Sequence, residues 1–599
     1  MCGITAISSH CNTVSFLLES LEKLEYRGYD SSGVTIITNN KLKSIKRKGK
    51  IEVLKKAVNK QKEYSLIGIG HTRWATHGEP SDLNAHPHMN KEETFSIVHN
   101  GIIENYRSLK KELQKEGYLF NSQTDSEVIV HLIDKFYNEE PNLLKALKKT
   151  TKILEGSYAI ALISSYYPDQ IFLTRKDSPI VIGHSDLGFF ATSDIPTLMN
   201  YASDIYFLDD YEFTIMTKDK ITFYNKDLNL INKASKQVDF VQSTISKEHF
   251  DSFMQKEIFE QPSALIDTIT FNDLTLQLKD LNHKLKNFNK IYLVACGTAY
   301  HACLSGAYYI EKLAKKTAIV QVASEFRYAD HFIDNQTLCI FVSQSGETAD
   351  TLAALNLAKE KKATTLVIAN VIGSSLTRKS DFNLYTKAGT EIAVASTKAY
   401  TTQVILLLLF AIHYAKETSQ NIPENLMDDI KTLSSTITNI LNDESLFKEY
   451  SNLLDYKKDA YFLGRSLDYY GALEGALKLK EISYINANAY IAGELKHGPI
   501  ALIEEGTIVF AIASQPQIIT KTISNVQEVI SRGAQVVLFS TDSSLANDYQ
   551  YFYLLPKVNP LLQPIVSIIP LQLIAYYTTL KRGLNIDKPR NLAKSVTVE

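Results

Sequence analysis

A chain of 599 residues is too long for one hydrophobic core, because single cores rarely grow beyond roughly 250–300 residues. Its 64 Lys and Arg against 66 Asp and Glu give no net positive field that would attract nucleic acid or an anionic membrane. Five scattered cysteines without a CxxC pair argue against a disulfide framework or a zinc ribbon and favour a reducing compartment. With no signal-peptide pattern and no apolar run long enough to span a membrane, we expect a soluble cytoplasmic protein.

The N-terminal part, residues 1–240, is predicted to be an α/β domain. Short apolar runs rich in β-branched residues, such as GVTIIT (33–38) and SYAIALI (157–163), indicate strands between charged helical stretches. A polar, helical stretch follows over residues 241–290. Because Gly and Ser are sparse there, we expect a packed connector and not a flexible linker.

The C-terminal part repeats an apolar strand, a turn and an amphipathic helix, which is typical of a doubly wound parallel sheet. Four segments recur in the same order at a spacing of roughly 170 residues. One matched pair is KIYLVACGTAY (290–300) and DAYFLGRSLDY (459–469). We therefore predict two copies of one domain, residues 291–450 and 455–588, followed by a tail at 589–599.

The chain begins MCGI, which places a cysteine directly behind the initiator methionine. A free cysteine is most often a small buried hydrophobe. If Met1 is removed, however, the α-amino group of Cys2 lies beside its own thiol. With a pKa of about 7.7–8.0, that amine can act as the local base. Cys2 is therefore a candidate nucleophile that needs no histidine partner.

The segment HTRWATHGEPSDLNAHPH (71–88) contains four histidines and the only tryptophan. A metal site is the less favoured interpretation, because these histidines lack the paired short spacings of zinc ligands. Arg73 is suited to bind a carboxylate through two parallel hydrogen bonds. In VHNG (98–101), an Asn side chain and a glycine N–H can form an oxyanion hole, although a plain Asn-Gly hairpin turn is the commoner reading.

The segment LCIFVSQSGETADTLAAL (338–355) combines a strand, a Ser/Gly turn and a helix. Free N–H groups at the helix N-terminus favour an anion, and Ser343, Ser345 and Thr348 add hydroxyl groups suited to a phosphate ester. A simple capped helix is the alternative. The sequence has neither the P-loop lysine nor GxGxxG here, so ATP and dinucleotides are not indicated. The matched turn of the second copy reads IASQPQ, so only the first copy is predicted to bind phosphate.

The segment GALEGALKLKEISYI (471–485) places Glu474, Lys478 and Glu481 on one helical face. Their spacing alone favours a surface ladder of ion pairs. The many apolar residues of the same helix leave open a second arrangement, in which some of these charges point into a cleft.

Several of these motifs together resemble a known group of enzymes. MCGI, EYRGYDS (25–31), HTRWATHGEP, VHNGIIEN and TDSE (124–127) resemble the N-terminal-nucleophile (Ntn) glutamine amidotransferases, and the repeated half resembles the sugar-isomerase (SIS) domains. The resemblance extends from Cys2 to the closing SVTVE. It implies an α/β protein with an αββα glutaminase domain followed by two doubly wound parallel-sheet SIS domains.

The same resemblance implies an activity. Glutamine and fructose 6-phosphate would be the substrates, the amide nitrogen would travel inside the protein as ammonia, and glucosamine 6-phosphate would be the product. No metal or organic cofactor is implied, and a homodimer is expected. The absence of a long insertion between the halves resembles the bacterial forms.

For the glutaminase site, the resemblance implies that Cys2 attacks the side-chain amide of glutamine. Asn100 and Gly101 would stabilise the tetrahedral oxyanion. The implied glutamine-binding residues are Arg73 for the α-carboxylate, Asp125 for the α-amino group, and Thr76 and His77 as lining residues. Trp74 would gate the ammonia passage, with an ordinary core aromatic as the alternative.

For the sugar site, the implied sugar-phosphate-binding residues are Thr298, Ser343, Gln344, Ser345, Thr348, Val394, Ala395 and Ser396. Glu481 would be the base that moves a proton between C1 and C2, with Lys478 beside it. His497, from the partner subunit, would assist ring opening. Lys594 would form a Schiff base with the ketose, although a tail lysine is normally solvated. Ala299 stands where the family usually has serine, so we expect weaker sugar-phosphate contacts there.

Two other functions stay open at the level of sequence. One is a glutamine amidotransferase that aminates a different sugar phosphate, an alternative to which the Ala299 departure gives some weight. The other is a non-catalytic sugar-phosphate sensor, since lone SIS domains serve that way. A sensor would release no glutamate, so glutaminase activity that is lost in Cys2→Ala would exclude it.

Overall fold

The computed structural model describes residues 2–199, 201–202, 204–237 and 246–596. The chain forms two compact units, Met1–Gln242 with Ser595–Glu599 and Ser243–Lys594. Met1, the predicted domain boundary at 240/241 and the end of the SVTVE motif lie outside the described residues. The predicted domain boundaries stay predictions.

The first unit is built around two antiparallel sheets. Its strands are β1 (Gly3–Ser9), β2 (Ser31–Thr38), β3 (Lys41–Lys48), β4 (Ile67–Arg73), β5 (His88–Met89), β6 (Phe95–Ile103), β7 (Gly156–Ser164), β8 (Tyr167–Lys176), β9 (Val181–Ser185), β10 (Gly188–Thr192), β11 (Asp204–Phe207), β12 (Phe213–Met216), β13 (Ile221–Tyr224), β14 (Leu230–Ile231) and β15 (Lys236–Gln237). Its helices are α1 (Val14–Lys23), α2 (Ile51–Asn59), α3 (Tyr106–Lys115), α4 (Glu127–Glu139), α5 (Leu143–Ile153) and α6 (Ile195–Leu198).

The two sheets lie in the middle of four layers. Within the described residues, one sheet has the order β15-β11-β9-β10-β1-β4-β2-β3 and the other the order β14-β13-β12-β8-β7-β6-β5. Ile4 and Ile69 of the first sheet pack with Ala161 of the second. Helices α1 and α2 cover the outer face of the first sheet, while α4 and α5 cover that of the second. Burying apolar side chains on both faces of each sheet gives the αββα arrangement, and this predicted class is confirmed.

The second unit contains parallel sheets surrounded by helices. Its strands are β16 (Lys290–Ala295), β17 (Ala318–Val322), β18 (Thr337–Ser343), β19 (Thr364–Ala369), β20 (Phe382–Tyr385), β21 (Asp459–Gly464), β22 (Asn486–Ile491), β23 (Ile508–Ala513), β24 (Gln535–Ser540) and β25 (Tyr551–Leu554). Its helices are α7 (Phe253–Phe259), α8 (Gln261–Phe271), α9 (Leu274–Gln277), α10 (Lys279–Leu285), α11 (Gly297–Tyr309), α12 (Ala323–Phe326), α13 (Ala349–Glu360), α14 (Ser375–Lys379), α15 (Lys398–Glu417), α16 (Leu426–Leu441), α17 (Ser445–Asn452), α18 (Leu467–Ser483), α19 (Ile519–Ile530) and α20 (Gln563–Lys581).

The two sheets of the second unit have the same strand order. One is β17-β16-β18-β19-β20 and the other is β22-β21-β23-β24-β25, with parallel pairing throughout the described strands. The predicted pair of doubly wound parallel-sheet domains is confirmed. In this topology the direction in which successive strands are added to the sheet reverses between the first and third strands, and ligands bind at the carboxyl ends of the strands at that point. The candidate switch points are therefore the ends of β16 and β18 in one module and of β21 and β23 in the other.

The connector helices α7 to α10 belong to the apolar core of the second unit. Met254, Ile258 and Leu265 are buried there with the strands and helices of the first SIS module. This stretch is packed, as its shortage of Gly and Ser indicates.

Two helical segments of the described chain are long and apolar enough to cross a membrane by length and composition. They are Lys398–Glu417 and Pro560–Lys581, and their apolar windows are 100% and 94% buried inside the second unit. The longest apolar run of the sequence, Val404 to Ile412, lies within the first of these segments. Both are accounted for as core helices, because their apolar surfaces are covered by protein.

Candidate active sites

Cys2 lies at the start of the central strand of the first unit. The register pairs Gly3 of β1 with Thr72 of β4, so residue 2 lies next to the end of β4. The Cys2 thiol donates to the carbonyl of Trp74 at 3.6 Å and accepts from the Trp74 N–H at 3.4 Å. Burial raises the pKa of the Cys2 thiol, so a base has to remove its proton before it can act as a nucleophile.

Asn100 is part of strand β6 and not of a turn, and its side chain lies beside Cys2. Its side-chain N–H₂ donates to the Cys2 carbonyl at 3.1 Å and to the Ser193 hydroxyl at 2.8 Å. The amide oxygen of Asn100 lies 3.1 Å from His71 Nε2. Burial lowers the pKa of His71 to about 3, so this ring is neutral and donates that bond. The amide is thereby oriented with its donors toward Cys2, as an oxyanion-binding group requires.

Gly101 follows Asn100 in the same strand. Its φ of +131° is in the region that favours glycine, and an added Cβ would lie 2.0 Å from the Ser157 carbonyl oxygen. Both residues pair with β7, since Asn100 faces Ala159 and Gly101 faces Tyr158. The hairpin-turn alternative for VHNG is therefore wrong, because the motif is part of strand β6.

Arg73 and Asp125 provide opposite charges close to Cys2. The guanidinium of Arg73 donates to the carbonyl groups of His77 and of Gly78, the latter at 2.9 Å. Asp125 accepts from the Ile103 N–H at 2.8 Å and lies 3.9 Å from His77 Nδ1. Both charged groups act electrostatically on the Cys2 thiol. The pair therefore matches the two charges of an α-amino acid.

Two further implied residues lie on the loop after β4. Thr76 is exposed and Trp74 is half-buried. The Trp74 ring lies edge-on to Tyr29 at 5.5 Å between centroids. Trp74 is therefore not an ordinary core aromatic, because part of its surface is open to solvent.

The histidine-rich segment forms a buried cluster in place of a metal site. His71 stacks on His86 at 4.2 Å, and His86 lies 4.4 Å from His88. Burial lowers the pKa of all three rings, so they are neutral at pH 7. Within the part of the chain that the structure describes, no group of three or more His, Cys, Asp or Glu side chains is arranged to hold a metal ion.

The predicted phosphate turn lies at the switch point of the first SIS module. Ser343 ends β18, and its hydroxyl accepts from the Gly346 N–H at 3.0 Å and lies 3.0 Å from the Thr348 hydroxyl. The Ser345 hydroxyl accepts from the Glu347 N–H at 3.1 Å. Gly346 has a φ of +66°, and an added Cβ would lie 2.0 Å from Ser374 Oγ. The turn therefore gathers three hydroxyl groups at the N-terminus of α13 and requires glycine.

The matched turn of the second SIS module holds a carboxylate of the protein itself. Asp468, in the first turn of α18, accepts from the Ser514 N–H at 2.8 Å and from the Gln515 N–H at 3.4 Å. The Ser514 hydroxyl also donates to Asp468. Burial raises the pKa of Asp468 to about 6, so it is largely ionised at pH 7. The turn of the second module thus binds the carboxylate of Asp468, whereas the matched turn of the first module carries hydroxyl groups.

Glu474 and Lys478 of α18 are buried, so the surface-ladder alternative is wrong for these two residues. Lys478 and Glu474 have no exposed side-chain surface, and Lys478 lies 3.3 Å from Glu474 and 2.7 Å from Glu481. Thr298, at the start of α11, donates to Glu474 at 3.0 Å and accepts from Lys478 at 3.2 Å. Burial opposes the charge of Lys478, but Glu474 and Glu481 outweigh it and raise the pKa of Lys478. This lysine is a fixed cation beside Glu481.

Lys594 is buried and paired, contrary to the solvation expected of a tail lysine. Its ammonium group contacts the carboxylate of Glu391 and donates to the Ser396 hydroxyl at 3.0 Å. Glu391 also accepts from the Thr397 N–H at 2.9 Å and helps to raise the pKa of Lys478. Glu391 therefore contacts Lys594 and also acts electrostatically on Lys478.

Four other positions that the sequence analysis named lie in the second unit. Val394 and Ala395 lie in the buried loop before α15, next to Ser396. His497 is exposed in the short 3₁₀ helix Glu494–His497. Ala299 packs in the apolar core, where a serine hydroxyl would need a buried partner.

Sequence reasoning missed several acidic residues of these sites. Glu391 directly precedes the apolar IAVASTK stretch, and a lone acidic residue in that position is a signal that it has a buried partner. Sequence reasoning also missed a histidine, His301, whose Nδ1 lies 2.8 Å from Glu474. Asp468 offers no comparable signal, since its partners are 46 and 47 residues away.

Comparison with known proteins agrees with this architecture. A glutamine amidotransferase domain matches residues 71–200, and an SIS domain matches residues 284–413 and 453–582. The glutamine–fructose-6-phosphate aminotransferase [isomerizing] of Clostridium tetani is 47% identical over 610 residues, and that of Aquifex aeolicus is 44% identical over 602. In both cases the match covers 100% of each chain.

One solved structure is similar to the second unit. The C-terminal domain of glucosamine-fructose-6-phosphate aminotransferase from Francisella tularensis is 38% identical, with a TM-score of 0.55, over 57% of this chain and 99% of that chain. A cysteine-led glutamine amidotransferase unit with two sugar-isomerase modules is the class of protein that the fold and sites define. The chain belongs to the family of glutamine–fructose-6-phosphate aminotransferases (isomerizing).

Proposed function

We propose that this protein converts fructose 6-phosphate and glutamine into glucosamine 6-phosphate and glutamate, the entry to amino-sugar synthesis. The observation that carries the proposal is the full-length identity of 47% to a named aminotransferase of this type. The side-chain clusters around Cys2 and around Lys594 support it.

In the first step, the amine exposed by loss of Met1 takes the proton of the Cys2 thiol. The thiolate attacks the amide carbon of glutamine, and Asn100 with Gly101 stabilises the resulting oxyanion. Arg73 binds the α-carboxylate, Asp125 the α-ammonium group, and Thr76 and His77 line the pocket. The α-ammonium group of Cys2 returns its proton to the amide nitrogen, the C–N bond breaks, and ammonia leaves past Trp74. Water then cleaves the thioester to release glutamate.

In the second step, the turn of Ser343, Gln344, Ser345 and Thr348 binds the sugar phosphate. Thr298, Val394, Ala395 and Ser396 line the sugar. After ring opening, the Lys594 amine attacks the C2 carbonyl, and loss of water gives an imine. Ammonia, carried inside the protein, displaces the lysine from C2.

The isomerisation then completes the product. Glu481 removes a proton from C1 and returns one to C2, which converts the ketose imine to the 2-amino aldose. Lys478 supplies a fixed positive charge 2.7 Å from that carboxylate. In this proposal His497 comes from the partner subunit of a homodimer and assists ring opening. The near-neutral charge and the buried apolar helices support a cytoplasmic location.

The test supplies amide-¹⁵N glutamine and fructose 6-phosphate and follows the label by mass spectrometry. Label in glucosamine 6-phosphate, undiluted by added unlabelled ammonium, is the expected result. Label found only in free ammonium would refute the coupled reaction. Cys2→Ser is the matched control, because it should abolish glutamine-driven synthesis and leave sugar-phosphate isomerisation intact. Loss of both activities would refute the division into two sites.

A further inference from the structure

His301 lies one turn after Thr298 in α11 and contacts a buried carboxylate of α18. Its Nδ1 is 2.8 Å from Glu474 Oε2, and the reaction described above gives this histidine no role. The His301 side chain is 13% exposed, whereas that of Glu474 is fully buried. A carboxylate that pairs with Lys478 only accepts hydrogen bonds, so Nδ1 carries the proton and donates it to this bond. His301 therefore joins a helix of the first SIS module to a carboxylate of the second.

The two oxygens of Glu474 have different partners. Oε1 accepts from the Thr298 hydroxyl at 3.0 Å and lies 3.3 Å from Lys478 Nζ. Oε2 has the His301 ring as its hydrogen-bond partner among the described residues. Without that donor a buried carboxylate oxygen would be left unpaired, which is costly, so the group would have to turn toward another donor. Both contacts of Oε1 would then change with it.

The orientation of Glu474 matters because Lys478 lies between two carboxylates. Its Nζ is 3.3 Å from Glu474 and 2.7 Å from Glu481, and it donates to the Thr298 hydroxyl at 3.2 Å. The Glu481 side chain is 21% exposed, so this ion pair helps to fix its position. A rotation of Glu474 would therefore displace the ammonium group and, with it, the Glu481 carboxylate.

We propose that His301 is a positioning residue for the isomerisation: it fixes the Glu474 carboxylate, and thereby the ammonium group that holds Glu481. This inference rests on the proposed role of Glu481 as the base at C1. His301 acts through two successive contacts and does not touch the reacting atoms. Because a small displacement of a base slows proton transfer, loss of His301 should lower the rate of that step and leave sugar-phosphate binding nearly unchanged.

The experiment measures glutamine-driven synthesis by the full-length protein from fructose 6-phosphate that carries two deuterium atoms at C1, beside the unlabelled substrate. The isomerisation removes one hydrogen from C1, so this step is slower with deuterium, and the product keeps one deuterium at C1. The ratio of the two kcat values reports how far the proton transfer limits turnover. NMR of the product counts the deuterium that remains at C1.

His301→Leu is the main variant, because leucine fills much of the space of the ring and removes its donor. We expect kcat to fall about 10-fold and the KM for fructose 6-phosphate to stay within about 2-fold. The isotope effect on kcat should be at least as large as in the wild type. His301→Asn places an amide N–H₂ near the position of Nδ1, so it should restore kcat to within about 3-fold of the wild type. His301→Ala replaces the leucine variant if that variant does not fold.

His413→Leu is the matched control. His413 is another buried histidine of the same unit, and its Nε2 lies 2.8 Å from Asn282 Oδ1, near the C-terminal end of α15. Loss of this bond should lower the Tm but leave kcat and the isotope effect unchanged. The control therefore separates a general loss of stability from a displaced base.

The possible outcomes separate the inference from the function on which it rests. A kcat in His301→Leu equal to that of the wild type overturns the inference alone. An isotope effect smaller than that of the wild type also overturns it, because a step other than proton transfer would then have slowed. The same holds if kcat is as low in His301→Asn as in His301→Leu, or falls equally in His413→Leu. Wild-type product that keeps both deuterium atoms at C1 overturns the role of Glu481 and the inference together.

Discussion

The two SIS modules of the second unit share one topology and differ at one turn. In the first module, the turn after β18 presents the hydroxyls of Ser343, Ser345 and Thr348. In the second, the turn after β23 binds the carboxylate of Asp468. Backbone N–H groups at a switch point need an acceptor whether or not a ligand is present. The comparison shows that the two turns occupy the same position in the topology, and that the turn of the second module binds a carboxylate of the protein itself.

The largest expected effect comes from adding a Cβ at Gly346, in the turn of the first module. Gly346→Ala forces a side chain against Ser374 at a φ of +66°, so the turn has to shift. We expect the KM for fructose 6-phosphate to rise by about 10- to 100-fold, equivalent to about 1.4–2.8 kcal/mol. Steady-state kinetics against the matched variant Pro516→Ala checks this. A similar rise in the KM of Pro516→Ala would contradict the proposal that only the first module binds the sugar phosphate.

Removing one hydroxyl should have the next largest effect. Ser343→Ala deletes a proposed phosphate donor and the acceptor of the Gly346 N–H. A hydrogen bond to a charged group contributes about 1.5–3 kcal/mol, so we expect the KM for fructose 6-phosphate to rise by at least about 10-fold. Ser514→Ala, in the second module, should leave this KM unchanged. Equal KM values for the wild type and Ser343→Ala would contradict the proposed phosphate site.

The buried carboxylate of Asp468 should make the free energy of unfolding depend on pH. The pKa of Asp468 is raised from 3.8 to about 6, so the native state binds its proton more tightly than the unfolded chain does. Its contribution to stability is therefore fully present below about pH 3.8 and is lost as the pH rises through 6, by about 3 kcal/mol in all.

Asp468→Asn removes this dependence. Thermal unfolding of the second unit should show a Tm difference between Asp468→Asn and the wild type that shifts in favour of the variant from pH 4 to pH 7. A difference that is constant over this range would mean that Asp468 does not titrate in the fold.

The smallest effect is expected at Ala299. Ala299 packs in the apolar core. Ala299→Ser should lower the KM for fructose 6-phosphate by no more than about 2-fold, because a buried hydroxyl gains little from reaching the sugar. Kinetics with several ketose phosphates measures this. A large change in preference among them would favour an enzyme specific for another sugar phosphate.

The sequence predicted the fold class well because its signals are local and repeated. Apolar runs, the change from strand-rich to alternating pattern, and four recurring segments predict an α/β unit followed by paired parallel sheets, whereas the αββα class was implied by the resemblance of the motifs. The phosphate turn was also predictable, since its strand, turn and helix are contiguous.

What escaped prediction depends on contacts between distant residues. Lys594 and Glu391 are 203 positions apart, and neither position alone predicts burial. The spacing of Glu474, Lys478 and Glu481 fits a surface as well as a cleft, and only packing of α18 on its neighbours decides between them. VHNG resembled a hairpin turn, but pairing with β7 keeps it extended.

The division between the two modules can be tested most directly by the binding stoichiometry of fructose 6-phosphate. Calorimetric titration of the full-length protein should give one site per chain, with an affinity about 10- to 100-fold weaker in Gly346→Ala and unchanged in Pro516→Ala. Two sites per chain, or a site that is lost in Pro516→Ala and kept in Gly346→Ala, would contradict the assignment of sugar-phosphate binding to the first module.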